Sequence, residues 1–221
     1  MAAAAAFLSA LAPTVPARAQ APTIEIVPAF TARSLLPGQP FTVSGVLPGG
    51  AADAGRAVQL FEARAPFQGA AYAMVAGATA GPGGEFAFPV LPVLKAYWAV
   101  VAPESPGRPR EASQGYLVAV RRKVSIRTST RRPRAGALVR FSGFVSPAFT
   151  LGPDAVATLQ RRNRQGGYSD VRSVLMRTAG PVSSYRVRVR MRRAGVYRVL
   201  VPSTPTYSQG ASVAVAVHVR R

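Results

Sequence analysis

The sequence has no cysteine, a single histidine and only eight acidic residues. The lack of cysteine excludes disulfide bonds and thiolate metal sites, so stability must come from packing and hydrogen bonds. With His218 alone, no site that needs two histidines can form, and nucleophilic catalysis has one imidazole base to draw on. The few carboxylates form no calcium-loop motif, and no glycine-rich phosphate motif occurs. We therefore predict a protein that is not an enzyme and needs no cofactor or metal.

Long apolar runs are also missing. No stretch reaches 18 apolar residues, which predicts that the chain has no transmembrane segment. Residues 1–12 form a short alanine-rich run that leads to Ala17-Arg18-Ala19, a small-x-small cleavage site. This pattern predicts a signal peptide over residues 1–19 and a secreted, extracellular or cell-envelope location. No Lys or Arg precedes the apolar run, and the alternative is a disordered alanine-rich tail.

A helical period is absent, and short alternating runs separated by Gly/Pro turns take its place. The fold class predicted from this pattern is all-β. The predicted strands of the first half are 24–27, 41–46, 58–64, 71–78, 85–90, 96–102 and 115–121. Those of the second half are 124–130, 138–145, 155–162, 168–176, 183–191, 195–201 and 211–219.

The two halves match each other at an offset of 95 to 100 residues. Gly38-Gln-Pro-Phe-Thr-Val-Ser-Gly aligns with Gly136-Ala-Leu-Val-Arg-Phe-Ser-Gly, and Phe86-Ala-Phe-Pro-Val aligns with Tyr185-Arg-Val-Arg-Val. Further along, Tyr97 is aligned with Tyr197. In the same region, Ser113-Gln-Gly is aligned with Ser208-Gln-Gly. Two copies of one module of about 100 residues explain the repeat.

On these motifs the chain resembles the tandem Ig-like, fibronectin-III-like β-sandwich modules of secreted bacterial proteins. The resemblance implies two seven-stranded antiparallel sandwiches, over residues 20–120 and 121–221, that serve in binding, spacing or adhesion. It also implies that Tyr97 and Tyr197 tie their hydroxyls to nearby backbone. Trp98 is predicted on the opposite strand face from Tyr97, where it could contact a sugar.

The charge is unevenly divided between the two predicted modules. Residues 20–120 carry six basic and six acidic side chains, whereas residues 121–221 carry 21 basic and two acidic ones, a formal charge of +19. A genome-wide preference for arginine would have loaded both halves. The imbalance therefore belongs to the second half itself.

The stretch Tyr185-Arg-Val-Arg-Val-Arg-Met-Arg-Arg alternates strictly between apolar and charged residues. It predicts a half-buried strand with Arg186, Arg188, Arg190 and Arg192 in an outward row. Uncompensated charge of this size destabilises a compact state unless a polyanion or counter-ions offset it. The aligned strand of the first half has Ala87 and Pro89 instead, so folding does not require these arginines. The predicted polyanion-binding residues are Arg161, Arg162, Arg164, Arg186, Arg188, Arg190, Arg192 and Arg193.

The predicted partner is a polyanionic polymer or surface: an envelope polymer, an acidic glycan or anionic lipid, with non-specific nucleic acid also possible. The first alternative is a purely structural spacer or stalk whose arginines are solvated edge guards. The second is a hydrolase, which would need a convergent acid pair; Glu104 and Glu111, in a proline-rich stretch, are instead predicted to be solvated. The oligomeric state is left open.

Overall fold

The computed structural model of the protein describes residues 25–28, 34–150, 152 and 155–220, with side chains from Ser34 onward. The predicted signal peptide lies outside the described residues. Nearly all regular secondary structure in the described part consists of β-strands. A short 3-10 helix, Gly50–Asp53, is the exception. The all-β prediction is confirmed. Among these residues, no helix has the length and apolarity that a membrane crossing demands.

The strands of the first half are β1 (Glu25–Pro28), β2 (Phe41–Val46), β3 (Ala57–Arg64), β4 (Ala73–Thr79), β5 (Glu85–Val90), β6 (Ala96–Ala102), β7 (Glu111–Ala112) and β8 (Tyr116–Val118). Those of the second half are β9 (Lys123–Val124), β10 (Arg127–Thr128), β11 (Leu138–Ser146), β12 (Val156–Arg162), β13 (Tyr168–Leu175), β14 (Arg177–Ala179), β15 (Val182–Arg190), β16 (Gly195–Val201), β17 (Gly210–Ala211) and β18 (Val215–Val217).

Each half contains two antiparallel sheets. The first half has the order β1-β2-β5 in one sheet and β4-β3-β6-β7 in the other, where β8 also pairs with β6. The second half has the order β13-β12-β16-β17, where β18 also pairs with β16, and the order β10-β11-β15-β14, where β9 also pairs with β11. The sheet β10-β11-β15-β14, with β9, is called the basic sheet below.

Two hydrophobic cores lie between these sheets. The first includes Val43 and Phe88 from one sheet and Leu60 and Val100 from the other. The second includes Phe141 and Val187 of the basic sheet together with Leu159 and other residues of the facing sheet. Because apolar side chains of both sheets meet in one cluster, each half is β-sandwich-like.

The strand registers of the two halves repeat at an offset of about 99. Leu60 pairs with Val100 and Leu159 pairs with Val199, and a β-bulge follows both Leu60 and Leu159. The hydroxyl of Ser113 accepts from the amide of Val100 at 2.9 Å. The hydroxyl of Ser212 accepts from the amide of Val199 at the same distance.

This register corrects two of the sequence alignments. Ser113 corresponds to Ser212 rather than to Ser208, and Trp98 rather than Tyr97 corresponds to Tyr197. Along a strand, a slip of one residue exchanges the buried and exposed faces. The expectation of an exposed Trp98 is therefore wrong.

Trp98 is 4% exposed and packs edge-to-face on Phe41, with ring centroids 6.0 Å apart. Within the described residues, neither Tyr97 nor Tyr197 bonds its hydroxyl to backbone as expected. That role belongs to Tyr185, whose hydroxyl donates to the Ser125 carbonyl at 2.6 Å.

The first half neutralises a buried charge cluster internally. Arg56 is buried, and its Nη1 lies 3.3 Å from Asp53 Oδ1 and 3.2 Å from Glu111 Oε2. The prediction that Glu111 is solvated is therefore wrong. A low-dielectric site keeps such charges only when they are paired, and the pairing offsets the cost of burying Arg56, Asp53 and Glu111.

The two halves are joined by direct contacts. The amide of Lys95 donates to the Thr206 carbonyl at 3.0 Å, and the amide of Ser208 donates to the Val120 carbonyl at 2.7 Å. Arg122 is 4% exposed, with its guanidinium carbon 3.8 Å from the Phe149 ring centroid and 4.3 Å from that of Tyr207. These two rings belong to the second half, so Arg122 packs within that half, and the basic stretch at residues 121–123 is partly buried.

Candidate functional site: the outer face of the basic sheet

Strand β15 places the predicted arginine row on the outer face of the basic sheet. Arg186, Arg188 and Arg190 are exposed, whereas Tyr185 and Val187 are buried in the core. The predicted alternation is thus confirmed over the strand. Arg192 and Arg193 are also exposed but follow the end of β15.

Cross-strand pairing brings further arginines to this face. Arg188 lies directly opposite Arg140 of β11, and Arg186 lies opposite Ser142. On the other side of Ser142 lies Arg127 of β10. Because neighbouring strands are 4.7–4.9 Å apart, the Cα atoms of Arg127 and Arg186 are separated by about 10 Å. The sequence analysis missed these additional arginines, because strand pairing cannot be read from local alternation.

A groove of about 640 Å³ crosses the same face at the β14 edge. Arg177 enters it from β14, where it pairs with Ser184 of β15. The residues that line the groove are Ser125, Arg127, Ser142, Gly143, Phe144, Leu175, Arg177, Ser184, Tyr185 and Arg186. The groove thus combines three guanidinium groups with serines and two exposed apolar side chains.

The groove floor is fixed by Tyr185 and Gly143. The Tyr185 hydroxyl reaches the Ser125 carbonyl directly over Gly143, where a Cβ would lie 2.7 Å from the hydroxyl and 2.1 Å from that carbonyl oxygen. Glycine is therefore the residue that lets the two strands and the tyrosine meet. Burial raises the pKa of Tyr185 well above its ordinary value, so its hydroxyl stays a donor at neutral pH.

A second cavity, of about 340 Å³, gathers four of the eight predicted site residues. Arg161 of β12 meets Arg190, Arg192 and Arg193 there. The other lining residues are Val171, Val189, Met191 and Tyr197. The sequence placed Arg161 and Arg190 about 30 residues apart, and the fold brings them to one site because β12 and β15 belong to facing sheets.

Arg162 and Arg164 are not brought to either cavity. Arg162 ends β12, and its Nε donates to the Gly166 carbonyl at 3.4 Å within the β12–β13 turn. Arg164 is exposed in that turn. Both remain surface cations, but they lie on the hairpin between β12 and β13 rather than in the row.

The cations of this face have no acidic neighbours in the described part of the chain. All ion pairs seen there belong to the first half. Asp170, the described acid of the second half, accepts instead from Gln160 Nε2 at 2.7 Å. The arginine bonds that do form near the row go to carbonyls, from Arg190 to Gly136 and from Arg172 to Arg188.

The chemistry available at the site is therefore multivalent anion binding. A guanidinium presents a planar fork of donors that matches carboxylate, sulfate and phosphate oxygens. Within the described ranges, no group of three or more His, Asp or Glu side chains is close enough to hold a metal ion. No protein-family model and no curated protein matches this chain.

Proposed function

We propose that this chain is an exported, non-catalytic binding protein whose basic second module contacts a polyanionic polymer or surface. The modules are two tandem Ig-like sandwiches, residues 20–120 and 121–221. The strand registers, bulges and serine–amide bonds that recur at an offset of 99 support the tandem arrangement. Cleavage before Gln20 would follow from the proposed export and can be read by N-terminal sequencing of the mature chain.

The observation that carries the proposed activity is the outer face of the basic sheet. It exposes Arg127, Arg140, Arg186 and Arg188 on three neighbouring strands, with no carboxylate among the described residues to pair them. Like charges directly opposite each other destabilise a sheet. A polyanion that bridges the face would remove that repulsion and release its counter-ions.

The corresponding face of the first half shows that the fold does not need these charges. Thr42 pairs with Pro89 where Arg140 pairs with Arg188, and Ser44 pairs with Ala87 where Ser142 pairs with Arg186. The backbone register is the same in both halves. The outward arginines have uncharged counterparts in the first half, which favours a role in binding for the second half.

A matched pair of variants of the full chain tests the proposal. In the face variant, Arg186, Arg188, Arg190 and Arg192 become Gln. In the control variant, four exposed cations outside the basic sheet become Gln, so that the net charge changes equally: Arg110, Arg131, Arg132 and Arg134. On a heparin or polyphosphate column at physiological salt, the face variant is expected to lose retention and the control to keep most of it.

The spacer is the second candidate, and the hydrogen-bonded joint between the halves favours it. Backbone hydrogen bonds from the Lys95 amide to the Thr206 carbonyl and from the Ser208 amide to the Val120 carbonyl hold the two sandwiches together. A rigid joint suits a stalk. Equal behaviour of the face and control variants on the column would favour the spacer and contradict polyanion binding.

A further inference from the structure

The groove on the basic sheet is lined by exposed apolar side chains as well as by cations. Phe144 and Leu175 line it while 56% and 69% exposed, respectively. A purely electrostatic surface for a phosphate polymer gains nothing from apolar side chains in water. An exposed ring between cations instead matches a ligand that carries both anionic groups and an apolar face.

The register fixes how these groups are arranged. One row across the sheet runs Arg127, Ser142, Arg186, and the next runs Phe144, Ser184, Arg177. The rows are separated by about 6.7 Å, the spacing of every second residue along a strand. The nearest outward neighbours of Phe144 are therefore Ser142 and Ser184, which are too small to cover its ring. Each of the two rows also contains at least one arginine.

The three guanidiniums are available to a ligand. In the described part of the chain, no hydrogen bond or ion pair engages the side chains of Arg127, Arg177 or Arg186. They come from three different strands, so the sheet holds their backbones at fixed separations. Ser142 adds a hydroxyl that can donate to or accept from a neutral ligand hydroxyl.

The first half again supplies a comparison. By register, Glu85 stands where Ser184 stands and Ala87 where Arg186 stands, and no described strand of the first half pairs with β5 as β14 pairs with β15. Val46 takes the place of Phe144. Arg186 and Phe144 therefore have no cationic or aromatic counterpart at the equivalent positions of the first half.

We infer that this groove binds a sugar ring of an acidic polysaccharide. The carboxylate or sulfate groups of the polysaccharide pair with Arg127, Arg177 and Arg186. The C–H face of the sugar ring packs on Phe144, and a ring hydroxyl forms a hydrogen bond with Ser142. This inference rests on the proposed polyanion binding and names its ligand class. Linear polyphosphate has no face for Phe144 to contact. Single-stranded nucleic acid is bound by successive aromatic platforms, whereas Phe144 is the one exposed aromatic ring in this groove as described.

The test uses the full chain with Phe144→Ala, and with Val46→Ala as the matched control at the equivalent exposed position. The probes are polygalacturonate, inorganic polyphosphate, oligothymidylate and phosphatidylglycerol vesicles, titrated at one salt concentration. Phe144→Ala is expected to weaken polygalacturonate binding by about threefold to tenfold, as for removal of one aromatic contact, and to leave polyphosphate unchanged. Val46→Ala should change neither, and both variants should unfold at the wild-type temperature.

The outcomes separate this inference from the proposed function. If the wild-type chain binds polygalacturonate and Phe144→Ala binds it equally well, the proposed sugar subsite is wrong. Polyanion binding by the basic sheet would still stand. Selective weakening of oligothymidylate or vesicle binding would overturn it in favour of nucleic acid or a membrane. If the wild-type chain binds none of the four probes, the proposed function fails together with the subsite.

Discussion

Arg140 lies directly opposite Arg188 across the β11–β15 pair of the basic sheet. Cross-strand neighbours of this kind have Cβ atoms about 4.5–5.5 Å apart, where two like charges repel. The equivalent pair of the first half is Thr42 and Pro89, which carries no charge. The second half therefore keeps a repulsive pair that its fold does not require.

Conversion of this pair to opposite charges should stabilise the protein. We expect Arg140→Glu to raise the free energy of unfolding by about 0.2–1 kcal/mol at low salt, as measured by chemical denaturation. The gain should shrink at 1 M salt, where the Debye length is about 3 Å. Thr42→Glu, which faces Pro89, should give no such gain. A destabilised Arg140→Glu protein would show that the two arginines do not repel.

Arg122 is expected to contribute to stability through packing rather than through its charge on the surface. It lies between the Phe149 and Tyr207 rings, and its Nε donates to the Pro147 carbonyl at 3.1 Å. Arg122→Ala should lower the free energy of unfolding by about 2 kcal/mol or more, because desolvated cation–π contacts are lost. Arg131→Ala, an exposed control, should stay within about 0.5 kcal/mol of wild type.

The buried cluster of the first half should be more sensitive still. Arg56→Ala leaves Glu111 buried without a cation and leaves Asp53 with Arg108 alone, whose Nε lies 3.5 Å from Asp53 Oδ1, and we expect a loss of about 3–5 kcal/mol. Arg110→Ala, on the exposed neighbouring loop, serves as the control and should be close to neutral. Retention of wild-type stability by Arg56→Ala would mean that the cluster is hydrated rather than closed.

The buried Tyr185 should make the stability of the protein decrease at alkaline pH. Burial raises its pKa in the folded state, so above the ordinary tyrosine pKa of about 10 the unfolded chain ionises first. The stabilisation is complete below that pH and is lost as the pH rises towards the folded-state pKa. The unfolding free energy of wild type should therefore fall more steeply above pH 10 than that of Tyr185→Phe.

At neutral pH the same substitution has a different cost. Tyr185→Phe removes the hydroxyl that donates to the Ser125 carbonyl and should cost about 0.5–1.5 kcal/mol. Phe86 holds the equivalent position in the first half, so the variant is expected to fold. Parallel alkaline slopes for wild type and variant would contradict a buried, neutral Tyr185.

The sequence was sufficient to predict several strands from local pattern alone. Strands β2, β5, β6 and β16 occur at the predicted residues, because short alternating or continuous apolar runs bounded by turn residues are typical of strands. Strict alternation also predicted correctly that Arg186, Arg188 and Arg190 point outward.

Long-range relations could not be predicted in this way. The opposition of Arg140 to Arg188 and the approach of Arg177 to the groove depend on which strands pair and in which register. The burial of Trp98 was missed because a shared tyrosine suggested an alignment displaced by one residue, and such a displacement exchanges the two faces. Glu111 accepts a hydrogen bond from Arg56, which is 55 residues away in the sequence, so no local pattern could predict the burial of Glu111.

The salt dependence of binding is the most direct test of the proposal that the outer face of the basic sheet binds polyanions. For the full chain with inorganic polyphosphate, engagement of about four phosphates predicts a slope of log affinity against log salt near −3. The face variant, with Arg186, Arg188, Arg190 and Arg192 changed to Gln, should show weak binding and a much shallower slope. Identical slopes and affinities for wild type and face variant would contradict polyanion binding by this face.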